Sequence, residues 1–390
     1  MIGQRTNLLG LTREELATFL ESIGEARYRG RQIYAWLYGA GVTGFGSMTD
    51  LGKTLRAKLE QTSTIDGVEL IGQQHSRRDG TTKFLFALHD RLCVETVLIP
   101  PASAFSGAEA AGEDEQRRLT ICISTQVGCP LDCAFCATAT MGYQRNLTSG
   151  EIVDQLLQAR RITGKTITNV VFMGMGEPMM NYDNVMRASE IIVGGVGIAA
   201  RHVTVSTAGW AEKIRQMADE DRRIRLAVSL HSAVEETRKK LMPITKRFNL
   251  ASLTSALEYY YARTKQRVTF EYVFFDGVND TPGELARLVK LAHRIPSKIN
   301  VIPFHPINST GPTGFSATLR PSPRLKEIVE HLRKQEIAVM IRSSAGEDID
   351  AACGQLAVRQ GQVQRQRRAS RPGRAAPRHD PQHSSTTPTA

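Results

Sequence analysis

From residue 119 to residue 342 strand-like runs alternate with helical stretches, and this rhythm constrains the fold more than any other feature of the chain. LTICIST (119–125), ITNVVFM (167–173), HVTVST (202–207), IRLAVSL (224–230), VTFEYVF (268–274), INVI (299–302) and IAVMIR (337–342) are rich in β-branched and aromatic residues. Between them, Thr148 with Glu151 forms a capping box, and Thr281, Pro282 and Glu284 signal another helix start. Strand then helix, repeated about six times, predicts an α/β protein with a parallel sheet, open or curled into a partial barrel. In such folds chemistry gathers at the C-terminal ends of the strands. The unusual motifs fall there: GMGEP (174–178), STAG (206–209), SLH (229–231), IPFHP (302–306) and SSAGEDIDAACG (343–354).

A cysteine cluster follows the first of these strands. Cys129, Cys133 and Cys136 form CxxxCxxC. A structural zinc site normally takes four protein ligands, and no fourth Cys or His lies nearby in sequence. Three thiolates instead suit a 4Fe-4S cluster with one iron left open. That iron could chelate S-adenosylmethionine (SAM) and pass an electron to its sulfonium, a reaction that the cofactor carries while the protein positions it. With Phe135 just before the last cysteine, the motif resembles that of the radical SAM superfamily. GMGEP, with Gly176 and Glu177, is similar to that superfamily's glycine-rich SAM-binding segment. Ser206, Ser229, Leu230 and His231 are expected to contact the nucleoside, although a lone histidine such as His231 is more often a satisfied interior residue.

The rest of the chain divides by composition. Residues 1–62 read as a small helical domain, with Ile33, Trp36, Leu37 and Ala40 on one face. Arg27, Arg29 and Arg31 beside Tyr34, Trp36 and Tyr38 could grip phosphates and stack on bases; the alternative is that the aromatics are core. Residues 63–118 read as a strand-rich linker ending in a surface loop, 119–358 as the partial barrel, and 359–390 as a basic disordered tail. The formal charge of +11 weakens as an argument for nucleic acid once the tail is set apart. From Arg359 onward seven Arg face one acid, Asp380, a net of +6 that leaves +5 for the body. No stretch of 18 apolar residues appears, and the opening MIGQRTNLLG lacks the apolar run of a signal peptide, so a cytoplasmic protein without membrane contact is expected.

Two further cysteines decide the kind of reaction. Cys122 lies seven residues before the cluster and Cys353 lies in GEDIDAACGQL. A cysteine alone is as readily packing as chemistry. RYRGRQIYAWLY, CVETVLIP, CISTQVGCPLDCAFCATATMGYQRNLTSGEI, NVVFMGMGEPMMN, VTVSTAGW, SLHSA and GEDIDAACGQL together resemble the RlmN/Cfr family of radical SAM RNA methyltransferases, nearly continuously over residues 12–358. The resemblance implies a partial (β/α)6-type radical SAM barrel with an N-terminal helical domain, a 4Fe-4S cluster, SAM as methyl donor and oxidant, and an external reductant. It implies methylation of adenine C2 in 23S rRNA and in tRNA beside the anticodon; a monomer is expected. Cys353 would carry the methyl, Cys122 would serve the resolving step that leaves a disulfide between the two, and Glu95 in CVETVLIP would accept a proton. His305 would contact SAM, although many family members have Asn at its position.

The chemistry explains a need for two thiols. Adenine C2 is electron-poor and cannot attack the SAM methyl directly. A cysteine can take the methyl, lose a hydrogen atom to a 5′-deoxyadenosyl radical and add to C2, after which a second thiolate must release the thioether. Both thiols need a lowered pKa or a nearby base, since a free thiol is only a few per cent thiolate at pH 7. The rivals are the Cfr-type reaction at adenine C8 and a non-catalytic iron-sulfur RNA-binding module; the latter would need neither Cys122 nor Cys353.

Overall fold

The computed structural model describes residues 5–101, 118–306, 314–342 and 344–358. The basic tail over 359–390, and the surface loop between Pro101 and Arg118, lie outside the described residues.

In the N-terminal part β1 (Thr6–Asn7) pairs in parallel with β2 (Ser63–Thr64). Between them lie α1 (Arg13–Ser22), α2 (Arg29–Tyr34) with a π-helical continuation over Ala35–Ala40, and α3 (Lys53–Thr62). Thr12 and Glu15 close a capping box that starts α1. The buried face differs from the expected one. Ile33, Tyr34, Leu37 and Tyr38 are buried, whereas Ala40 is exposed and Trp36 half-buried, its Nε1–H donating to Asp50. The wider π turn rotates the side chains away from a 3.6-residue period. Tyr34 and Tyr38 are therefore core rather than stacking platforms, and Arg27 pairs with Glu14 and Glu21.

β3 (Glu69–His75), β4 (Thr82–Ala87) and β5 (Cys93–Ile99) form an antiparallel meander. β5 then pairs antiparallel with β6 (Thr120–Cys122). From there the sheet is parallel: β6, β9 (Asn169–Phe172), β10 (Val203–Thr207), β11 (Arg225–Ser229), β12 (Val268–Tyr272), β13 (Ser297–Val301) and β14 (Val339–Ile341) follow one another in chain order. A hairpin of β7 (Gln126–Gly128) and β8 (Tyr143–Asn146) stands apart from this sheet. The segment expected as a linker is thus an extension of the main sheet, which among the described residues runs over ten strands.

The helices between the parallel strands are α4 (Ser149–Thr163), α5 (Tyr182–Ile191), α6 (Ala211–Asp219), α7 (Glu235–Leu241), α8 (Leu250–Thr264), α9 (Pro282–Arg294) and α10 (Leu325–Lys334). The capping box of Thr148 and Glu151 starts α4, and Thr281 with Pro282 starts α9. β9 and β12 are buried along their whole length, as expected of strands covered on both faces. Each large apolar side chain so enclosed contributes roughly 1.5–3 kcal/mol. The helical domain docks on this body through Gly10, whose φ of +98° and close approach to Gly150 leave no room for a side chain. Among the described residues no helix is long and apolar enough to cross a membrane.

Candidate active site

The strand ends set the site. The CxxxCxxC loop spans the β7–β8 hairpin and is tied down by its backbone: Cys129 N–H donates to Gly142 O (3.0 Å), Cys136 N–H to Cys133 O (3.2 Å) and Ala134 N–H to Leu241 O (2.9 Å). Burial, and then the neighbouring cysteines, push the Cys129 and Cys133 thiols well above the usual range. Gathered thiols of this kind become thiolates when a metal centre supplies the compensating charge. Among the described residues no group of three or more His, Cys, Asp or Glu is arranged around a single metal ion. A cluster needs no such convergence, because each thiolate binds its own iron. The donor set therefore fits a 4Fe-4S cluster with three protein ligands.

The three cysteines form one wall of a cleft. Gly176, Glu177, Ser206, Ser229, His231, Glu271 and Cys353 line it as well. Gly176 has φ +101°, and a Cβ there would lie 2.5 Å from Gln126 Cβ, so the turn requires glycine. The Glu177 carboxylate is already engaged, accepting from Met179 N–H (3.0 Å) and Ala208 N–H (2.7 Å), which locks the GMGEP turn to the STAG loop. His231 is buried with φ +53° and accepts from Val273 N–H through Nδ1 (3.1 Å). Burial drives its pKa down to about 3, so the ring is neutral, and it packs edge-on against Phe135 of the cysteine loop at 4.4 Å. Leu230 is wholly buried and is not among the lining residues; its N–H donates to Glu271 O and its carbonyl accepts from Arg238.

A second cavity adjoins the first. Cys122, Met173, His305, Arg342, Ser344 and Cys353 are among its lining residues. Cys353 lines both cavities and is exposed to solvent, whereas Cys122 is buried at the end of β6. Burial raises the Cys122 thiol to about 12, with Cys353 adding to the rise and Arg342 opposing it. The Cys353 thiol also moves up through the density of protein around it, again against the pull of Arg342. Although burial works against its charge, the guanidinium of Arg342 is held cationic by Cys353, Glu271 and Cys122, and its Nη1 lies 3.7 Å from Glu271 Oε2. His305 lines this cavity and not the cleft of the cysteine cluster. All six cysteines are free thiols, so the disulfide implied between Cys122 and Cys353 is not formed.

Glu95 lines neither cavity. It is buried on β5, with Oε1 3.2 Å from Lys83 Nζ and Oε2 accepting from Ala357 N–H at 3.0 Å. Burial raises its pKa and Lys83 lowers it. Lys83 also donates to Asp350 O, Asp79 accepts from Gly346 N–H, and Gly354 O accepts from Ala137 N–H beside the cluster loop. The segment bearing Cys353 is thereby clamped between the antiparallel strands and the cysteine cluster.

Several residues of the site escaped the sequence reading, two arginines among them. Arg238 is wholly buried, and its guanidinium donates to the carbonyls of Leu230, Ser229 and Ala208 and to Thr245 Oγ1, so it fixes two rim loops. Within ETRKKL it stands among several charges with no motif around it. Arg342 at the end of the last strand carried one available signal, a cation at a rim position.

Comparison with known proteins agrees with this architecture. The model of the ribosomal RNA large subunit methyltransferase N-terminal domain matches residues 6–65, and that of the radical SAM superfamily matches residues 123–289. A probable dual-specificity RNA methyltransferase RlmN of Flavobacterium johnsoniae is 40% identical over 366 residues, covering 92% of this chain and 99% of its own. One of the same name in Salinibacter ruber is 38% identical, covering 90% and 94% respectively. The crystal structure of a radical SAM methyltransferase from Sphaerobacter thermophilus superposes with a TM-score of 0.79 at 38% identity, covering 90% of this chain and 99% of that one. Cysteine loop, rim motifs and near full-length similarity lead to one conclusion: the chain belongs to the RlmN family of radical SAM methyltransferases.

Proposed function

We propose that this enzyme forms 2-methyladenosine in 23S rRNA and in tRNA beside the anticodon, with Cys353 carrying the methyl group and Cys122 resolving the protein–RNA thioether. The observation that carries the reading is the position of Cys353, which lines both the cleft of the cysteine cluster and the cavity of Cys122. Cys353 thus opens on the side of the cluster and on the side of a second thiol. The name its relatives carry, dual-specificity RNA methyltransferase, supports RNA as the substrate.

Cys129, Cys133 and Cys136 would hold the 4Fe-4S cluster, and Gly176, Glu177, Ser206, Ser229 and His231 would surround SAM, with Leu230 contributing through its backbone. When bound, cluster and SAM supply the 5′-deoxyadenosyl radical. The chain's own residues do the rest. Arg342 lines one cavity with the outer thiols and favours their thiolate forms electrostatically. Glu95 grips the Cys353 segment through Ala357; to serve as proton acceptor it would first release that N–H. The enzyme is read as a cytoplasmic monomer that draws electrons from an external reductant. Reconstituted protein, SAM, reductant and RNA, followed by mass spectrometry of the digested nucleosides, test the reading. 2-Methyladenosine is expected; 8-methyladenosine would establish the Cfr-type reaction instead, and no methylated adenosine would overturn it.

A further inference from the structure

Left-handed backbone flanks Cys353 on both sides: Asp350 has φ +51° and Gly354 φ +83°. A side chain in that conformation is costly and persists only where its surroundings hold it. Here one buried ion pair does much of the holding. Lys83 on β4 and Glu95 on β5 stand diagonally across one face of the meander, since Leu85 is the residue directly opposite Glu95. Lys83 Nζ lies 3.2 Å from Glu95 Oε1, with the side chains only 6% and 2% exposed. The same ammonium donates to Asp350 O at 3.1 Å, and the same carboxylate accepts from Ala357 N–H at 3.0 Å. One pair thus ties the chain before Cys353 and after it. Between the ties, Gly354 O accepts from Ala137 N–H at 2.7 Å, beside the last cysteine of the cluster loop. An ion pair buried this deeply adds little stability by itself, so its value lies in what it orders.

We propose that Lys83 is a positioning residue for Cys353: with Glu95 it staples residues 350–357 at both ends and sets the thiol at the junction of the two cavities. The inference rests on the function proposed above, in which Cys353 Sγ gives up its proton to solvent, bonds the methyl carbon of SAM and releases S-adenosylhomocysteine. Lys83 lines neither cavity, so it acts through the backbone it holds. Without the ammonium, Asp350 O loses this donor and Glu95 is buried with no counter-ion, which weakens both ties at once. The loop then samples other positions, and the fraction with the thiol in place to take the methyl falls. The GMGEP, STAG and SLH motifs keep their own ties through Glu177 and His231. Binding of SAM should therefore survive a change that slows its use.

The experiment compares Lys83→Met, Glu95→Gln and the double variant with the wild type as reconstituted full-length enzyme. Three quantities are measured: iron per chain, the rate of Cys353 S-methylation against SAM concentration by peptide mass spectrometry, and hydrogen exchange over residues 350–357 in the absence of SAM. Lys83→Met should keep its iron and lower the maximal rate of S-methylation about tenfold, with the KM for SAM within about twofold of the wild type. Exchange over 350–357 should quicken while that of β12 stays as it was. The double variant should be no worse than the poorer single one, because the two residues act as one staple. An unchanged maximal rate or unchanged exchange over 350–357 would overturn the proposal. Faster exchange in β12 as well would also overturn it, by showing a general loss of structure. Should Lys83→Met lose its iron, Glu95→Gln and the double variant, which leaves no buried charge unpaired, decide by the same readouts. If wild-type Cys353 takes no methyl from SAM, the functional reading has failed, and exchange over 350–357 alone decides whether the staple exists.

Discussion

The two cavities that meet at Cys353 are built on opposite principles. In the cleft of the cysteine cluster the polar groups of the protein are largely satisfied: Glu177 holds two backbone N–H groups, His231 is neutral and bonded to Val273, and Arg238 fills three carbonyls from behind. In the thiol cavity the pairing is less complete. Arg342 faces two thiols, and His305 keeps an unpaired nitrogen. The first arrangement preorganises a rigid receptor for a cofactor, and the second keeps protons and charge available for covalent chemistry. Cys353, exposed where they join, belongs to both.

The contrast can be broken at several points. The largest effect is expected from the receptor side. Cys133→Ser should abolish turnover and strip iron from anaerobically purified protein, measured as iron and sulfide per chain; a variant that retains full iron and turns over would contradict the assignment of the three ligands.

Arg238→Met should come next, because it removes a donor from the carbonyls of Leu230, Ser229 and Ala208, of which Leu230 O keeps Ser232 N–H. A loss of about 3–5 kcal/mol in unfolding free energy is expected by denaturant titration. A change under about 0.5 kcal/mol, typical of a surface site, would show that the guanidinium does not anchor the rim.

Arg342→Met probes the open cavity and should have the smallest effect. Removing a cation beside a thiol raises its pKa, so the rate of Cys122 alkylation at fixed pH should fall, by about tenfold for one unit, and its pH profile should move to higher pH. A profile that stays in place would mean that Arg342 serves Glu271 alone.

What could be read from the sequence follows the same division. The three clustered cysteines and the rim motifs are local signals on regular strands, and the sheet sets them around one cleft, with Leu230 turned into the core. Groups that act across the fold were harder to see. Arg238 hid in a charged helix, Glu271 inside a strand, and the partnership of His305 with Glu347 spans two rim loops. The meander of β3, β4 and β5 looked like a linker because antiparallel pairing to β6 is a long-range choice that no local pattern announces. The π turn after α2 misled a reading that assumed a single helical period.

The central claim is that Cys353 and Cys122 act in sequence from the two sides of one junction, and two substitutions run side by side on a denaturing gel with labelled RNA, SAM and reductant test it most directly. Cys122→Ala should still methylate Cys353 and attack the base, then stall as a retarded band that survives reductant. Cys353→Ala should give no such band and no methylated adenosine, with its iron content intact. Near-normal methylation by either variant would contradict the account and return both cysteines to the role of packing.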